Sequence, residues 1–255
     1  MRLRALAVIA TATFGLATGA FAGVKDTIQR LTSIFENSTP EFQYTFCENI
    51  GDQRGWTFGF VGFTSGTYSG TMFLEEYIRL RPGNPLARFL PAFRRIDAGP
   101  HDREGRNPDT RGLEEFPDVF RSLGNDPLFR KAQHNMADKL SWIPARKLAR
   151  RIGARLPVTR GQLYDAYVNH GESGIRKLVR KTDRRSGGTP KTRGVSERAW
   201  LKKFLAVRLR VLRADATWQH AVDRIAVYQK LLQDGNVRLR RPFEVDCYGN
   251  HFRIE

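Results

Sequence analysis

The chain has 255 residues, 40% of them hydrophobic, and carries 43 Lys and Arg against 26 Asp and Glu, a formal charge of +17. That length suits one sizeable core or two lobes sharing a cleft. Two cysteines and five scattered histidines give none of the spacings of a zinc site. The charge invites an anionic partner, but its distribution opposes nucleic acid as the main ligand. Between residues 31 and 78 the acids are Glu36, Glu41, Glu48, Asp52, Glu75 and Glu76, and Arg54 is the sole base; the positive charge sits later, at 146–155, 176–185 and 202–213.

Residues 1–22 read as a secretory leader. Arg2 and Arg4 start it, 5–17 form its apolar core, and Ala20-Phe21-Ala22 precedes Gly23 as a cleavage site. The competing membrane anchor would be a weak span of mostly Ala, Thr and Gly. Secretion to the extracellular space is the expectation, with no membrane attachment after cleavage and 23–255 as one folded unit. In an oxidising compartment Cys47 and Cys247 could bridge, closing a loop that stabilises by roughly 4–5 kcal/mol; two free thiols are the alternative.

Apolar Val24, Ile28, Leu31, Ile34 and Phe35 predict a helix over 24–35. Ser38-Thr39-Pro40-Glu41 reads as the capped start of a second helix, with Tyr44, Phe46 and Cys47 turned inward. Gly51-Asp52-Gln53-Arg54-Gly55 breaks it. Residues 56–64 read as a short strand, with a turn at 66–70 that would make it half of a ribbon. Helices follow at 72–80 and 86–96, and 97–126 reads as a long loop with at most one short helix. Residues 129–155 are helical with an interruption at Pro144, and 161–171 are helical. Residues 183–196 form a linker or loop, 197–232 one or two helices, and the tail is extended. The fold class is therefore mainly α with a small β element, without the strand–helix alternation of doubly wound folds.

Glu36 ends an amphipathic segment, and Asp52 lies in a Gly-bracketed turn leading to a β-prone stretch. A carboxyl held against apolar wall residues stays protonated and can act as an acid, whereas one beside exposed amides and Arg54 stays ionised and can activate water. Two such groups across a groove suit acid–base hydrolysis of a glycosidic bond. Thr57 could offer its hydroxyl to the same water. No serine pairs with a His–Asp set. Asn37-Ser38-Thr39 matches a glycosylation sequon that is read as chance, since a glycan there would obstruct the groove.

Several segments in order resemble the secreted chitosanases of glycoside hydrolase family 46. They are Glu36-Asn37-Ser38, the run from Asn49 through Gly51-Asp52-Gln53-Arg54-Gly55-Trp56-Thr57, and Gly62-Phe63-Thr64-Ser65-Gly66-Thr67. The likeness continues in Arg81-Pro82-Gly83-Asn84, Leu90-Pro91, Tyr164-Asp165-Ala166, His170-Gly171, Gly235-Asn236 and Tyr248-Gly249. The resemblance implies a lysozyme-like fold of two lobes around an open cleft, and endo-hydrolysis of β-1,4-linked glucosamine polymers with inversion. It implies Glu36 as general acid, Asp52 as general base and Thr57 orienting the water. Arg54, Gly62, Thr67 and His170 would line the cleft. Asp165, Arg208 and Arg224 would form a buried charge network behind Glu36, set so that Arg224 does not simply pair with the acid, since that would favour its charged form.

The implied partner is a polysaccharide substrate, chitosan or a relative, of a monomer with no cofactor, no metal, no nucleic acid and, after leader cleavage, no membrane. Two features depart from the family pattern. Residues 66–71 supply no carboxylate to hold a substrate amine, and a chain of +17 should repel a polycation at long range. The alternatives are a hydrolase of another amino- or acidic polysaccharide, or a non-catalytic basic protein that binds polyanions.

Overall fold

The computed structural model describes residues 23–255, so the leader lies outside the described residues. Helix α1 (Val24–Asn37) buries Ile28, Leu31, Ile34 and Phe35 as their spacing requires. It stops because Ser38 turns left-handed and returns its amide to the Ile34 carbonyl at 3.0 Å. The expected second helix at 38–41 does not form. Ser38 ends a helix instead of starting one, and the next residues are held irregularly: Pro40 accepts from Arg30, and the Glu41 carbonyl accepts from Ser33.

Beyond this crossing lie β1 (Cys47–Glu48), β2 (Thr57–Phe58) and β3 (Phe63–Thr64), an antiparallel sheet in that order. The stretch expected as one strand is a complete hairpin, with Thr57 opposite Thr64 and its turn at Gly59–Gly62 rather than at 66–70. Around it pack α2 (Ser69–Leu80), a 3-10 turn (Pro85–Phe89), α3 (Leu90–Ala98), α4 (Phe116–Ser122) and α5 (Pro127–Ala137). Phe58 is the hub of this first core, meeting Phe73, Phe93, Phe116 and Phe120 edge to face at 5.0–6.0 Å. That anchors the strand carrying Thr57.

The chain returns through a π-helical turn (Asp138–Trp142), which takes up the interruption expected at Pro144; Pro144 itself fits the first turn of α6 (Ile143–Ile152). Helix α7 (Pro157–Ser186) runs well past the expected end at Gly171, where φ +63° kinks it without ending it. Its last turn takes residues 183–186, so the expected linker is only the short connection to α8 (Glu197–Arg213), tied down by Lys191 to the Ile152 carbonyl. A 3-10 segment (Ala216–Val222), α9 (Asp223–Gln233) and the hairpin of β4 (Phe243–Cys247) and β5 (Asn250–Ile254) complete the fold. The second core joins α1 to these C-terminal elements through Ile28, Leu31, Tyr164, Leu205, Ile225, Tyr228 and Ile254. A third apolar patch binds α6, α7 and α8 around Trp200 and Phe204.

The fold is thus mainly helical with small sheets, built on two principal cores. Cys47 belongs to the first and Cys247 to the second; both are free and buried, and burial pushes each thiol up to about 12. Among the described residues no helix is long and apolar enough to cross a membrane. Charge is sorted by element. Residues 143–215 hold 20 of the 43 Lys and Arg but only 5 of the 26 acids. Asp165 engages two arginines, Glu172 engages Arg176, Asp183 accepts from Trp200, and Glu197 accepts from the amides of Arg155 and Leu156.

Candidate active site

Glu36 occupies the last turn of α1, and its side chain is one third exposed. Oε1 accepts from Arg224 Nη1 at 2.6 Å, and the same nitrogen reaches Asp165 Oδ1 at 3.1 Å. Arg208 takes the other oxygen of Asp165 and also donates to Gln162 at 2.8 Å, Asn169 at 3.0 Å and His170 Nε2 at 3.1 Å. Asp165 and Arg208 are fully buried. Burial alone would lower the Arg224 guanidinium, but the charges of Asp165 and Glu36 more than offset it and hold it above its ordinary value.

The direct Glu36–Arg224 contact corrects the expectation that the two would not simply pair. Arg224 projects from α9 onto the end of α1, where its Nη2 also binds the Phe35 carbonyl at 3.0 Å. Its charge is shared between two carboxylates, one of them the buried Asp165. The contact occupies Oε1 only; Oε2 has no hydrogen-bond partner among the described residues.

Asp52 lies in the turn before β2. Its Oδ1 accepts the Arg54 amide at 3.1 Å, and its Oδ2 accepts Arg54 Nε at 2.7 Å. The turn needs its glycines: Gly55 has φ +68°, and a Cβ there would stand 2.3 Å from Ser65 Oγ. Thr57 opens β2 and is buried, yet its Oγ1 has no hydrogen-bond partner among the described residues. A buried hydroxyl without a partner in a well-packed strand is available to a ligand or a water.

The two sides meet where α1 touches the hairpin. Asn37, next to Glu36, donates to the Phe60 carbonyl at 3.2 Å, so the would-be sequon side chain is a structural tie. The crevice beside Glu36 is lined by Thr32 and Ser33 of α1, Phe60 and Val61 of the hairpin turn, and Tyr164 and Val168 of α7. A wider concavity is lined by a different set, including Glu75, Glu76 and Asn135, and gathers none of the expected site residues.

Glu36, Arg224, Asp165, Arg208 and His170 therefore form one connected network, and Asp52 with Arg54 forms a second cluster. His170, expected to line the cleft, acts inside the network: its Nε2 accepts from Arg208, and burial, with the Arg208 charge, pulls its imidazole down to about 4. Gly62 closes the hairpin turn at φ +70°, and Thr67 bonds the hydroxyls of Thr64 and Ser69. Sequence reasoning gave no site role to Gln162, Asn169 or Tyr248, the last quoted only in the family likeness; its hydroxyl binds the Phe35 carbonyl at 3.2 Å. The signal was present for two of them: Gln162, Asp165 and Asn169 fall at i, i+3 and i+7 on one helix face. Among the described residues no cluster of His, Cys, Asp and Glu could hold a metal ion.

Comparison with known proteins gives one consistent answer. Residues 30–243 match the profile described as Glycosyl hydrolase family 46. A chitosanase of Bacillus subtilis (strain 168) is 35% identical over 234 residues, covering 87% of this chain and 82% of that relative. The native chitosanase structure from Bacillus subtilis MY002 superposes with a TM-score of 0.80 at 34% identity, covering 91% of this chain and 98% of that one. A Gynuella sunshinyii chitosanase in complex with chitotetraose superposes equally well, at 0.80 and 34%, covering 92% and 98%.

Proposed function

The chain belongs to glycosyl hydrolase family 46, and on that premise we propose that this hydrolase of chitosan cuts internal β-1,4-glucosamine linkages with inversion, Glu36 serving as general acid and Asp52 as general base. Glu36 delivers a proton from Oε2 to the leaving glycosidic oxygen while Arg224 fixes Oε1. Asp52, oriented by Arg54, takes a proton from the attacking water, which the free Thr57 hydroxyl helps to aim. Inversion needs space for that water, with the carboxyls farther apart than the roughly 5–5.5 Å of retaining enzymes. Arg54, Gly62 and Thr67 contribute to the sugar-binding wall. Asp165, Arg208 and His170 act behind it, holding Arg224 in place.

The observation that carries this reading is the pairing of an anchored, partly exposed Glu36 at the inter-core crevice with an unsatisfied Thr57 hydroxyl on the strand that follows Asp52. The test is chitosan digestion by the wild type, Glu36→Gln and Asp52→Asn, with product sizing and NMR of the first-formed anomer. Losses of about 10²–10⁴ in kcat are expected, with the α-anomer appearing first. A β-anomer burst, or full activity in both variants, overturns it; the latter points to a non-catalytic polyanion binder.

The leader-like segment supports secretion of a chain beginning at Gly23, and a monomer is part of the same proposal. Mass spectrometry of protein recovered from the medium, with its elution volume, checks both points.

A further inference from the structure

Tyr68 is anomalous on three counts. It is a bulky aromatic at φ +63°, ψ −24°, a backbone state that side chains of its kind avoid. Its ring is about half exposed, although most large aromatics of this lobe are buried. The ring also lies flat on the imidazole of His101, with centroids 5.1 Å apart and planes 11° from parallel. The surroundings make this arrangement rigid. His101 Nδ1 donates to the Gly99 carbonyl at 2.9 Å, and the Tyr68 carbonyl accepts the Met72 amide at 3.1 Å.

The stack belongs to the wall that carries Asp52. Gly66, two residues before Tyr68, donates to the Arg54 carbonyl at 3.0 Å and pairs with Asn107, whose carbonyl would lie 1.9 Å from any Cβ at that glycine. Arg106, from the same loop as His101, feels the charge of Asp52. The local charge balance is also distinctive. Residues 66–71 contribute no carboxylate. Asp97 is taken up by Thr71, Asp102 and Glu104 by Arg106, and Glu75 by Arg94. Arg103 stands exposed with no ion pair among the described residues.

We propose that the stacked Tyr68–His101 pair is a sugar-binding platform on the Asp52 side of the cleft, selective for an N-acetylglucosamine unit of the polymer. A pyranose ring presents an apolar C–H face that lies on an aromatic plane, as ligand sites commonly arrange with a few polar groups at the edge. A glucosamine ammonium beside the platform would meet the unpaired Arg103, while the carboxylates nearest it, Asp97, Asp102, Glu104 and Glu75, already have partners. A neutral acetamido group escapes that repulsion.

The inference rests on the chitosan-hydrolase reading and deepens it, so the test reports on the two separately. Tyr68→Gly removes the ring and relaxes the positive φ, so folding is not at risk; Tyr68→Phe keeps the platform. Each is assayed on fully deacetylated and on half-acetylated chitosan. The ratio of kcat/KM on the acetylated polymer to that on the deacetylated one should fall about fivefold to tenfold in Tyr68→Gly and hold in Tyr68→Phe. Product sequencing should show fewer acetylated units at one fixed distance from the cut. An unchanged ratio in an active, folded Tyr68→Gly overturns the platform alone. A wild type inactive on both polymers overturns the hydrolase reading instead.

Discussion

Arg224 stands 2.6 Å from Glu36 although the two are 188 residues apart in the chain. The contact brings the end of the first helix to the last one, and Asp165 on α7 completes it from behind. One buried guanidinium thereby fixes the rotamer of a partly exposed acid, and the groups that hold it there are themselves buried.

Asp165 is the keystone of that arrangement. With no exposure, it balances Arg208 and Arg224 together. Asp165→Asn would leave two buried cations short of a counter-charge, and breaking such a pair costs about 3–5 kcal/mol. Urea denaturation should show a loss of that size, with activity falling further than the folded fraction because Arg224 loses its support.

Thr57 separates structure from chemistry. Its Oγ1 is buried without a partner among the described residues, so Thr57→Val removes none of the hydrogen bonds seen there. Stability should change by less than about 1 kcal/mol, while kcat falls at least tenfold if the hydroxyl aims the water. Equal activity with equal stability would remove Thr57 from the mechanism.

His170 makes stability sensitive to acid. Burial, then the Arg208 charge, lowers its imidazole from 6.5 to about 4. The unfolded chain therefore takes up a proton that the folded one refuses. The contribution of neutral His170 is fully present above pH 6.5 and is lost as pH falls toward 4, with a slope of at most about 1.4 kcal/mol per pH unit. His170→Gln, which can still accept from Arg208, should flatten denaturant stability over that window relative to wild type.

The cysteines should be silent in the native protein. Both are buried, unpaired and pushed up to about 12 by burial. A thiol reagent at pH 8 should count no thiols before denaturation and two after it, and a reductant should leave the melting temperature unchanged.

Charge sorting predicts the response to salt. The polycation must approach a molecule whose positive charge is concentrated on residues 143–215. Raising ionic strength from about 0.01 to 0.15 M shortens the screening length from about 30 to 8 Å, so kcat/KM on chitosan should rise. A fall would mean that the acidic cleft segment, and not the basic lobe, governs capture.

Helical periodicity was legible wherever one face was apolar, as in α1 and α2, and so was the turn around Asp52, because glycines at positive φ mark it. The second helix expected at Ser38 failed because a residue suited to starting a helix can equally end one in the left-handed region. The extent of α7 was misjudged at Gly171, since a single glycine at φ +63° bends a helix that packing on both sides keeps going. The family likeness singled out Glu36, Asp52 and Thr57 as candidates, yet the contact of His170 with Arg208 could not be read from its neighbours in the chain.

The linear order of residues by itself determined the mainly helical class, the acidic stretch that holds both candidate carboxyls, and the basic later segments, because composition and short-range spacing encode each of these directly. Only tertiary packing decided that Arg224 would clamp Glu36, that Asp165 would neutralise two arginines, and that Tyr68 would lie on His101. Each of those contacts joins elements far apart in the chain, and burial sets its strength by removing the water that would otherwise screen it.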